Sequence, residues 1–477
     1  MRVLYVTHLY PPVHSAGVEV FASTTARLLA DRGHDVTVLT TEKDIARADL
    51  SLHRRRHDGL QVVELVNNLF ARRFEETWQR PEIDRIFESL LDELQPELVH
   101  VHHLLYLSSG ILGICRRRGL PVVLTLHDFW LGCARFGQLL HADGSRCESV
   151  DPARCGSCLP SLDWRQSDTA RRVARGVAAL ARTTGLDVAG PLRRLRKPSG
   201  GDGGFEEPGR ADVEAFTALA GARREDLVDA VNESASRVLL PAAFMRPWFE
   251  ALGLRPELLH VETTGVDWEG ARRFERERRP SGAPVRVLFL GTLAPHKGAH
   301  VLVDAWERLP ADVRSRARLR LHGPAPGGTS SAYVRELEER GAPLGLTVGG
   351  RLSRDGVRRE MARTDVLVTP SLWLEIRPLV MLEAYAAGAR VIATDLGGMA
   401  EAVHDGLPGR LFPEGDAAAL SDALAAEIER AEREGDVAPL PSPSALFRAW
   451  NDVSAALDGH YADVVDRGRG SDPLRSR

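Results

Sequence analysis

The sequence predicts an α/β fold: two doubly wound, parallel-sheet domains facing each other across a cleft. Three observations carry this. Short apolar runs of strand length alternate with segments whose apolar residues recur at helical spacing, the pattern of a parallel sheet covered on both faces. The alternation occurs twice, and a polar Pro/Gly-containing stretch, GVDWEGARRFERERRPSGAP, stands between the two runs as a linker. The length, 477 residues, suits two domains of ordinary size.

In the first run, RVLYV (Arg2 to Val6) reads as a buried strand. Gly17 to Ala30 has helical spacing, and Gly33 closes that helix as a C′ residue. DVTVLT and LQVVEL are strands, Ile83 to Leu94 a helix, ELVHVHH a strand, Ile111 to Arg118 a helix and PVVLTLHD a strand. The rhythm breaks from Leu131 to about Arg210 and resumes at SRVLLP. In the second run VRVLFLG, RLRLHG, LTVGG, DVLVTPS and ARVIATD are strands. Helices are expected at Gly298 to Arg308, Ala332 to Arg340 and Pro378 to Ala387. Leu446 to Val465 is a last amphipathic helix before a polar tail. Domain bounds of 1–270, 280–440 and 441–477 follow, with an insertion at about 131–210.

Bulk properties exclude some classes. Charge is balanced, 62 basic against 66 acidic residues, which argues against nucleic-acid binding through an overall field. No apolar run is long enough to span a bilayer. The N-terminus, MRVLYVTHLYPP, reads as a strand entering a loop rather than a signal peptide, so a cytoplasmic protein is expected. Nearly every basic residue is Arg; the lysines are Lys43, Lys197 and Lys297. Base composition accounts for that bias, but it draws attention to Lys297.

Ligands of doubly wound sheets bind at the carboxyl ends of the strands, here in the cleft. SLWLEIRPLVMLEAYAAG places Glu375 in a loop and Glu383 inside the following helix, with Pro378 suited to the helix's first turn. The N–H groups of Leu379 and Val380 form a small anion site there. Glu383 can accept two hydrogen bonds from a ribose cis-diol, and Glu375 the same from sugar hydroxyls; charge-assisted bonds are roughly twice as strong as neutral ones. The plainer reading, that these carboxylates merely favour a helix dipole, is worth ~0.3–1 kcal/mol. In FLGTLAPHKGAH a strand ends at Gly291, and Lys297-Gly298 opens a helix where Lys reaches phosphates and Gly lets the backbone approach.

In order and spacing, GTLAPHKG, PSLWLEIRPLVMLEA, GARVIATD and GGMAE resemble the donor-binding half of the family-4 GT-B retaining glycosyltransferases. SAGVEVFASTTARLLADRGHDVTVLT, TLHDFW and TTGVDW resemble the other half. The likeness implies a GT-B fold of two Rossmann-like domains, the first on the acceptor side, with the C-terminal helix crossing back onto it. It implies a nucleotide-diphospho-sugar donor, no catalytic metal, and an acceptor that is a sugar, a lipid-linked sugar or a metabolite. By the same likeness Lys297 binds the donor diphosphate, Glu383 the ribose and Glu375 the donor sugar. The amides of Leu379 and Val380 take phosphates, and Arg351, closing VGGR, frames the nucleobase. Gly17 brings the first helix to the diphosphate, and His127 lies beside the transferred sugar. Three departures stand out. Thr292, after Gly291, replaces a frequent Arg; Ala16-Gly17 replaces Gly-Gly; and Arg377-Pro378 replaces Phe-Gly, which lets Arg377 contact a charged donor or phosphate. No Asp-x-Asp motif occurs. The rival readings are a GT-B sugar-nucleotide epimerase and a non-catalytic nucleotide-sugar-binding protein.

Cys133, Cys147, Cys155 and Cys158 cluster in the insertion, the last two as C-x2-C. Structural zinc is the favoured reading, with His141 as a substitute ligand; packed free thiols and disulfides are the alternatives. Cys115 reads as a buried apolar residue. DWRQSDTARRVARGVAALAR carries Arg on one helical face and apolar residues on the other. It suits an anionic membrane surface and peripheral contact at the inner face, against the commoner outcome of a packed surface helix.

Overall fold

Eight strands form the first sheet: β1 (Arg2–Val6), β2 (Asp35–Glu42), β3 (Leu52–His57), β4 (Leu60–Val66), β5 (Leu98–Val101), β6 (Val122–Thr125), β7 (Arg237–Leu240) and β8 (Leu259–Val261). Their order is β3-β4-β2-β1-β5-β6-β7-β8, parallel except for the β3–β4 hairpin. Six form the second: β9 (Val285–Leu290), β10 (Ala317–His322), β11 (Thr347–Gly349), β12 (Val366–Thr369), β13 (Arg390–Thr394) and β14 (Gly409–Phe412). Their order is β11-β10-β9-β12-β13-β14, parallel throughout. The computed structural model describes residues 1–165, 169, 172–173, 176, 207–325, 331–434, 441–444 and 447–470.

Alternation along each central strand explains why both faces are covered. In β1, Leu4 and Val6 enter one apolar cluster, while Val3 and Tyr5 enter another on the opposite face. In β9, Val287 and Phe289 face one cluster and Leu288 the other. Side chains of period two on a continuous apolar run thus feed two helical layers at once.

Among the elements the sequence reading leaves unassigned, two show why. β3, LHRRRH, has no apolar run; it is an edge strand held by charge, with Arg54 Nη2 2.8 and 2.6 Å from the Glu93 carboxylate and Arg55 Nε 2.5 Å from Glu64. Charged edges of this kind resist strand addition from other chains. The helix Arg210–Ser234 buries Leu227, Val228 and Val231 but has little amphipathic contrast, so its pattern is weak. The amphipathic stretch expected from Asp163 onward lies largely outside the described residues. Among the described residues no helix is long and apolar enough to cross a membrane.

The last helix, Trp450–Gly470, lies on the first domain. Val453, Leu457, Tyr461 and Val464 recur at helical spacing and are buried. The Tyr461 hydroxyl is 2.5 Å from His100 Nδ1 and 3.0 Å from the Tyr5 hydroxyl. Asp458 meets His34 Nε2 at 3.0 Å. Tyr461→Phe leaves two buried polar groups short of a partner, at a cost of about 1–3 kcal/mol. Urea unfolding read on the first domain is expected to shift to lower denaturant by that amount; an unchanged midpoint counts against this contact.

Candidate active site

In the second domain the two expected motifs are pressed together. Gly298 has φ +71°, and a Cβ there would lie 1.8 Å from the Pro370 carbonyl oxygen, so only glycine fits. The Leu372 N–H donates to the His296 carbonyl at 2.8 Å. This contact brings Lys297 Nζ to 2.5 Å from Glu375 Oε1 and over the Trp373 ring, 4.5 Å from its centroid. The same Glu375 oxygen accepts from Ser371 Oγ at 2.9 Å and Trp373 Nε1 at 2.7 Å. Burial alone would raise the Glu375 pKa. The Lys297 charge and these hydrogen bonds outweigh it and hold the pKa below the usual carboxylate range. Sequence reasoning expected Lys297 and Glu375 as separate ligands; the structure makes them one ion pair, with Ser371 and Trp373 as partners it did not assign. Two tryptophan and serine donors within four positions of Glu375 were the available signal.

The following helix spans Leu379–Ala386, and Pro378 is its N-cap at φ −61°, ψ 117° rather than its first turn. Met381 N–H donates to the Pro378 carbonyl at 3.0 Å, whereas those of Leu379 and Val380 have no backbone partner among the described residues. The loop is fixed from behind by Gly398, whose N–H donates to the Glu375 carbonyl at 2.8 Å. Glu383 is partly buried, and its carboxylate has no hydrogen-bond partner among the described residues. Burial, then the negative charge of Asp267, pushes its pKa up to about 7, against the pull of Arg354 and Arg358. Gly291 donates its N–H to the His322 carbonyl at 3.1 Å, and Thr292 follows it, just past the end of β9.

Arg377 does not reach into the cleft, contrary to expectation. Its side chain is 2% exposed, with Nη1 3.4 Å from Asp405 and 3.5 Å from Glu401, and it lies over the Phe447 ring at 5.6 Å. Charge pairing on the helix Gly397–His404 side turns it inward. Arg351 is exposed and crosses to the first domain, with Nη2 3.0 Å from Ser15 Oγ.

On the first domain the helix Gly17–Asp31 points its N-terminus at the cleft. Glu19 Oε2 accepts from the Ala16 N–H at 2.8 Å, and its other oxygen lies 3.5 Å from His8 Nε2. A Cβ at Gly17 would meet nothing within 4 Å, so the chain's own packing does not demand glycine there. His127 Nε2 is 3.1 Å from His102 Nδ1. Burial, then His103, pulls the His127 pKa down to about 3, so it is neutral near pH 7. His103 Nε2 meets Asp128 Oδ2 at 3.0 Å, and the His8 ring packs against His103 at a tilt of 49°, centroids 4.5 Å apart. This histidine array was visible as HVHH before the break in rhythm, but only His127 was assigned a role. Phe21 bridges the halves: its ring is 4.9 Å from His127 and 5.5 Å from Trp450, and Leu379 packs on the same cluster.

The four clustered cysteines are free, and among the described residues no group of three or more His, Cys, Asp or Glu is placed to hold a metal ion. The structure therefore does not form the expected four-thiolate site. The thiols are packed instead: Cys133 and Cys158 are buried, Cys133 Sγ donates to the Arg135 carbonyl at 3.7 Å, and burial pushes Cys155 up to about 12. His141 Nε2 is engaged by Ser157 Oγ at 3.0 Å. Cys115 is buried, as expected.

The Glu383 carboxyl is expected to titrate near pH 7 in carboxyl NMR. Removing the neighbouring charge with Asp267→Asn should lower that value; no movement would mean that Asp267 does not govern it.

Comparison with known proteins follows the two domains. The family "Glycosyltransferase Family 4" matches residues 15–150, and "Glycosyl transferases group 1" matches residues 284–430. A D-inositol 3-phosphate glycosyltransferase of Stackebrandtia nassauensis is 32% identical over 233 residues, 46% of this chain and 52% of that protein. The 2-deoxystreptamine N-acetyl-D-glucosaminyltransferase of Streptomyces fradiae is 33% identical over 193 residues, 40% of this chain and 45% of that protein. The matches thus span about half the length of these curated relatives. Among solved structures, Anabaena Alr3699/HepE in complex with UDP and glucose aligns with a TM-score of 0.55 at 16% identity, covering 97% of this chain and 100% of that one. The sucrose-phosphate synthase of Thermosynechococcus elongatus aligns with a TM-score of 0.59 at 16% identity, covering 98% and 99%. These structures carry the GT-B fold. With one family match in each domain, the two together spanning more than half of the chain, the chain belongs to the family-4, group 1 glycosyltransferases.

Proposed function

We propose that this protein is a retaining, metal-independent glycosyltransferase that moves a sugar from a nucleotide-diphospho-sugar to an acceptor hydroxyl in polysaccharide, glycolipid or metabolite assembly. One observation carries the reading. A Lys297–Glu375 pair at 2.5 Å is held in the loop leading to the helix Leu379–Ala386, whose first amides, Leu379 and Val380, have no backbone partner among the described residues and whose next turn carries Glu383. That set offers a cation and two N–H donors for a diphosphate, with a carboxylate at each end for hydroxyls. The relatives' names agree on glycosyl transfer and differ in acceptor, and UDP is bound in HepE, so a uridine donor is the first to try.

In the reaction the bond from the anomeric carbon to the diphosphate oxygen breaks as the acceptor oxygen bonds that carbon from the same face. The acceptor's proton passes to the departing phosphate oxygen. Lys297 and the helix N-terminus meet the charge that develops there, an electrostatic term already in place before reaction. Glu375, anionic and fixed by Ser371 and Trp373, orients the sugar. His127, neutral and held by His102, lies on the acceptor side of the sugar. Glu383 accepts the ribose hydroxyls only as a carboxylate.

A panel of UDP-, GDP-, ADP- and TDP-sugars, scored by slow hydrolysis without acceptor, tests the assignment. One donor should turn over. Lys297→Ala should cut its rate about 10²–10³-fold, the magnitude of losing one charge-stabilising donor. Glu375→Ala should lower turnover while nucleotide still binds; unchanged turnover refutes the catalytic role. Nucleotide affinity should rise as pH passes upward through about 7 and Glu383 ionises, and Glu383→Gln should flatten that rise. Calorimetric titration between pH 6 and 8 reads it.

A further inference from the structure

A pocket in the first domain has no part in the donor chemistry. It occupies about 640 Å³, counting space open to solvent, beyond the ends of β4, β5 and β6. Its walls are apolar and aromatic, with Phe74, Tyr106, Trp130, Phe136 and Trp164 among them. Two arginines line it as well. Arg80 is offset by Asp49 at 3.6 Å and by Asn67 at 3.3 Å. Arg223 is 2% exposed and lies over the Trp130 ring at 4.5 Å. Its hydrogen bonds go to the carbonyls of Trp130 at 2.8 Å and Leu131 at 3.4 Å. Among the described residues it has no carboxylate within salt-bridge distance. Asp128 attracts it from beyond that distance and is itself paired with His103. A guanidinium buried without an ion-pair partner is costly, and an anion delivered into the pocket would offset that cost. Glu76 and Asp163 also line the pocket.

Two further features mark the pocket. Leu69, Tyr106 and Phe136 all line it with positive φ, at +57°, +65° and +53°, a conformation non-glycine residues adopt at a cost. Phe136 is also 40% exposed, an apolar ring left open to solvent. The pocket adjoins the reaction centre. Trp130 lines both it and the small cavity of His102, His103, His127 and Asp128, and its ring packs on His103 at 5.4 Å.

We infer that this pocket seats the non-reacting part of the acceptor: an apolar, ring-bearing body with an acidic group that docks on Arg223. The inference rests on the glycosyltransferase reading for its acceptor role, and it narrows the acceptor to amphiphilic acids.

Full-length protein is titrated with 1-anilinonaphthalene-8-sulfonate and with N-phenyl-1-naphthylamine, which shares the rings and lacks the sulfonate. The sulfonate should bind at one saturable site, at least tenfold tighter than the neutral amine. Arg223→Met should erase that preference and leave the amine's affinity unchanged. Should Arg223→Met not fold, Ala134→Trp, which fills the pocket from its wall, should abolish binding of both probes. Saturating sulfonate should also slow donor hydrolysis in the wild type by excluding water from the acceptor side, and should not do so in Ala134→Trp. Equal affinity for the two probes, or binding untouched by Ala134→Trp, overturns the inference. Tight sulfonate binding that leaves hydrolysis unchanged overturns the acceptor role. If no donor is hydrolysed at all, the glycosyltransferase reading fails, while the probe titrations still judge the pocket by themselves.

Discussion

Two loops of the second domain can lie against each other only because residue 298 has no side chain. The Pro370 carbonyl occupies the space a Cβ would need, and the positive φ of Gly298 turns the chain into the helix Ala299–Arg308 at that point. The arrangement of the neighbouring side chains follows from this contact. It lays Lys297 on Glu375, sets the Trp373 indole beneath the ammonium, and leaves the N-terminus of the helix Leu379–Ala386 facing outward. The ion pair is then over-determined: Glu375 has three donors on one oxygen, and its loop is tied from behind through Gly398. A partly buried charge pair gains stability only when its remaining hydrogen-bonding capacity is met, and here the chain meets it before any ligand arrives.

The two glutamates eight positions apart receive opposite environments. Glu375 keeps its charge because a cation and two side-chain donors outweigh its burial. Glu383 is partly buried, has no such partner among the described residues and feels the charge of Asp267, so its charge is held only loosely. The pair therefore divides labour by surroundings rather than by residue type, one carboxylate permanently anionic and the other responsive to what binds. On the first domain the histidines are the mirror of this. Burial keeps His8, His100, His102 and His127 neutral, so they offer oriented polar edges without adding positive charge to the first domain.

Much of the fold was legible because central strands buried on both faces must be continuous apolar runs. β1, β9, β12 and β13 announce themselves that way. β3 did not, since an edge strand can be built from arginines, nor did the helix Arg210–Ser234, whose burial is confined to a few positions. In the site, spacing marks Lys297, Glu375, Glu383 and the helix amides as candidates beside the plainer helix-dipole reading, and their roles rest on the family resemblance. Arg377 misled because spacing reports which residues are near a motif and not which way a side chain turns; Glu401 and Asp405, on the far side of β13, decided that. Likewise C-x2-C spacing announces thiol proximity and says nothing of whether apolar packing claims the sulfurs first.

The last helix closes the first domain from the far end of the chain. Tyr461 supplies the partner for His100 and Tyr5 deep in the first sheet, and Val453, Leu457 and Val464 cover that sheet's helix layer. During synthesis that cover arrives about 200 residues after β8 has emerged, a delay of roughly 10–40 s at ordinary translation speeds. For that interval the nascent first domain carries an open apolar seam with buried polar groups unanswered. The protein's order of assembly is thus written into its topology: the half that is made first is the half that is finished last.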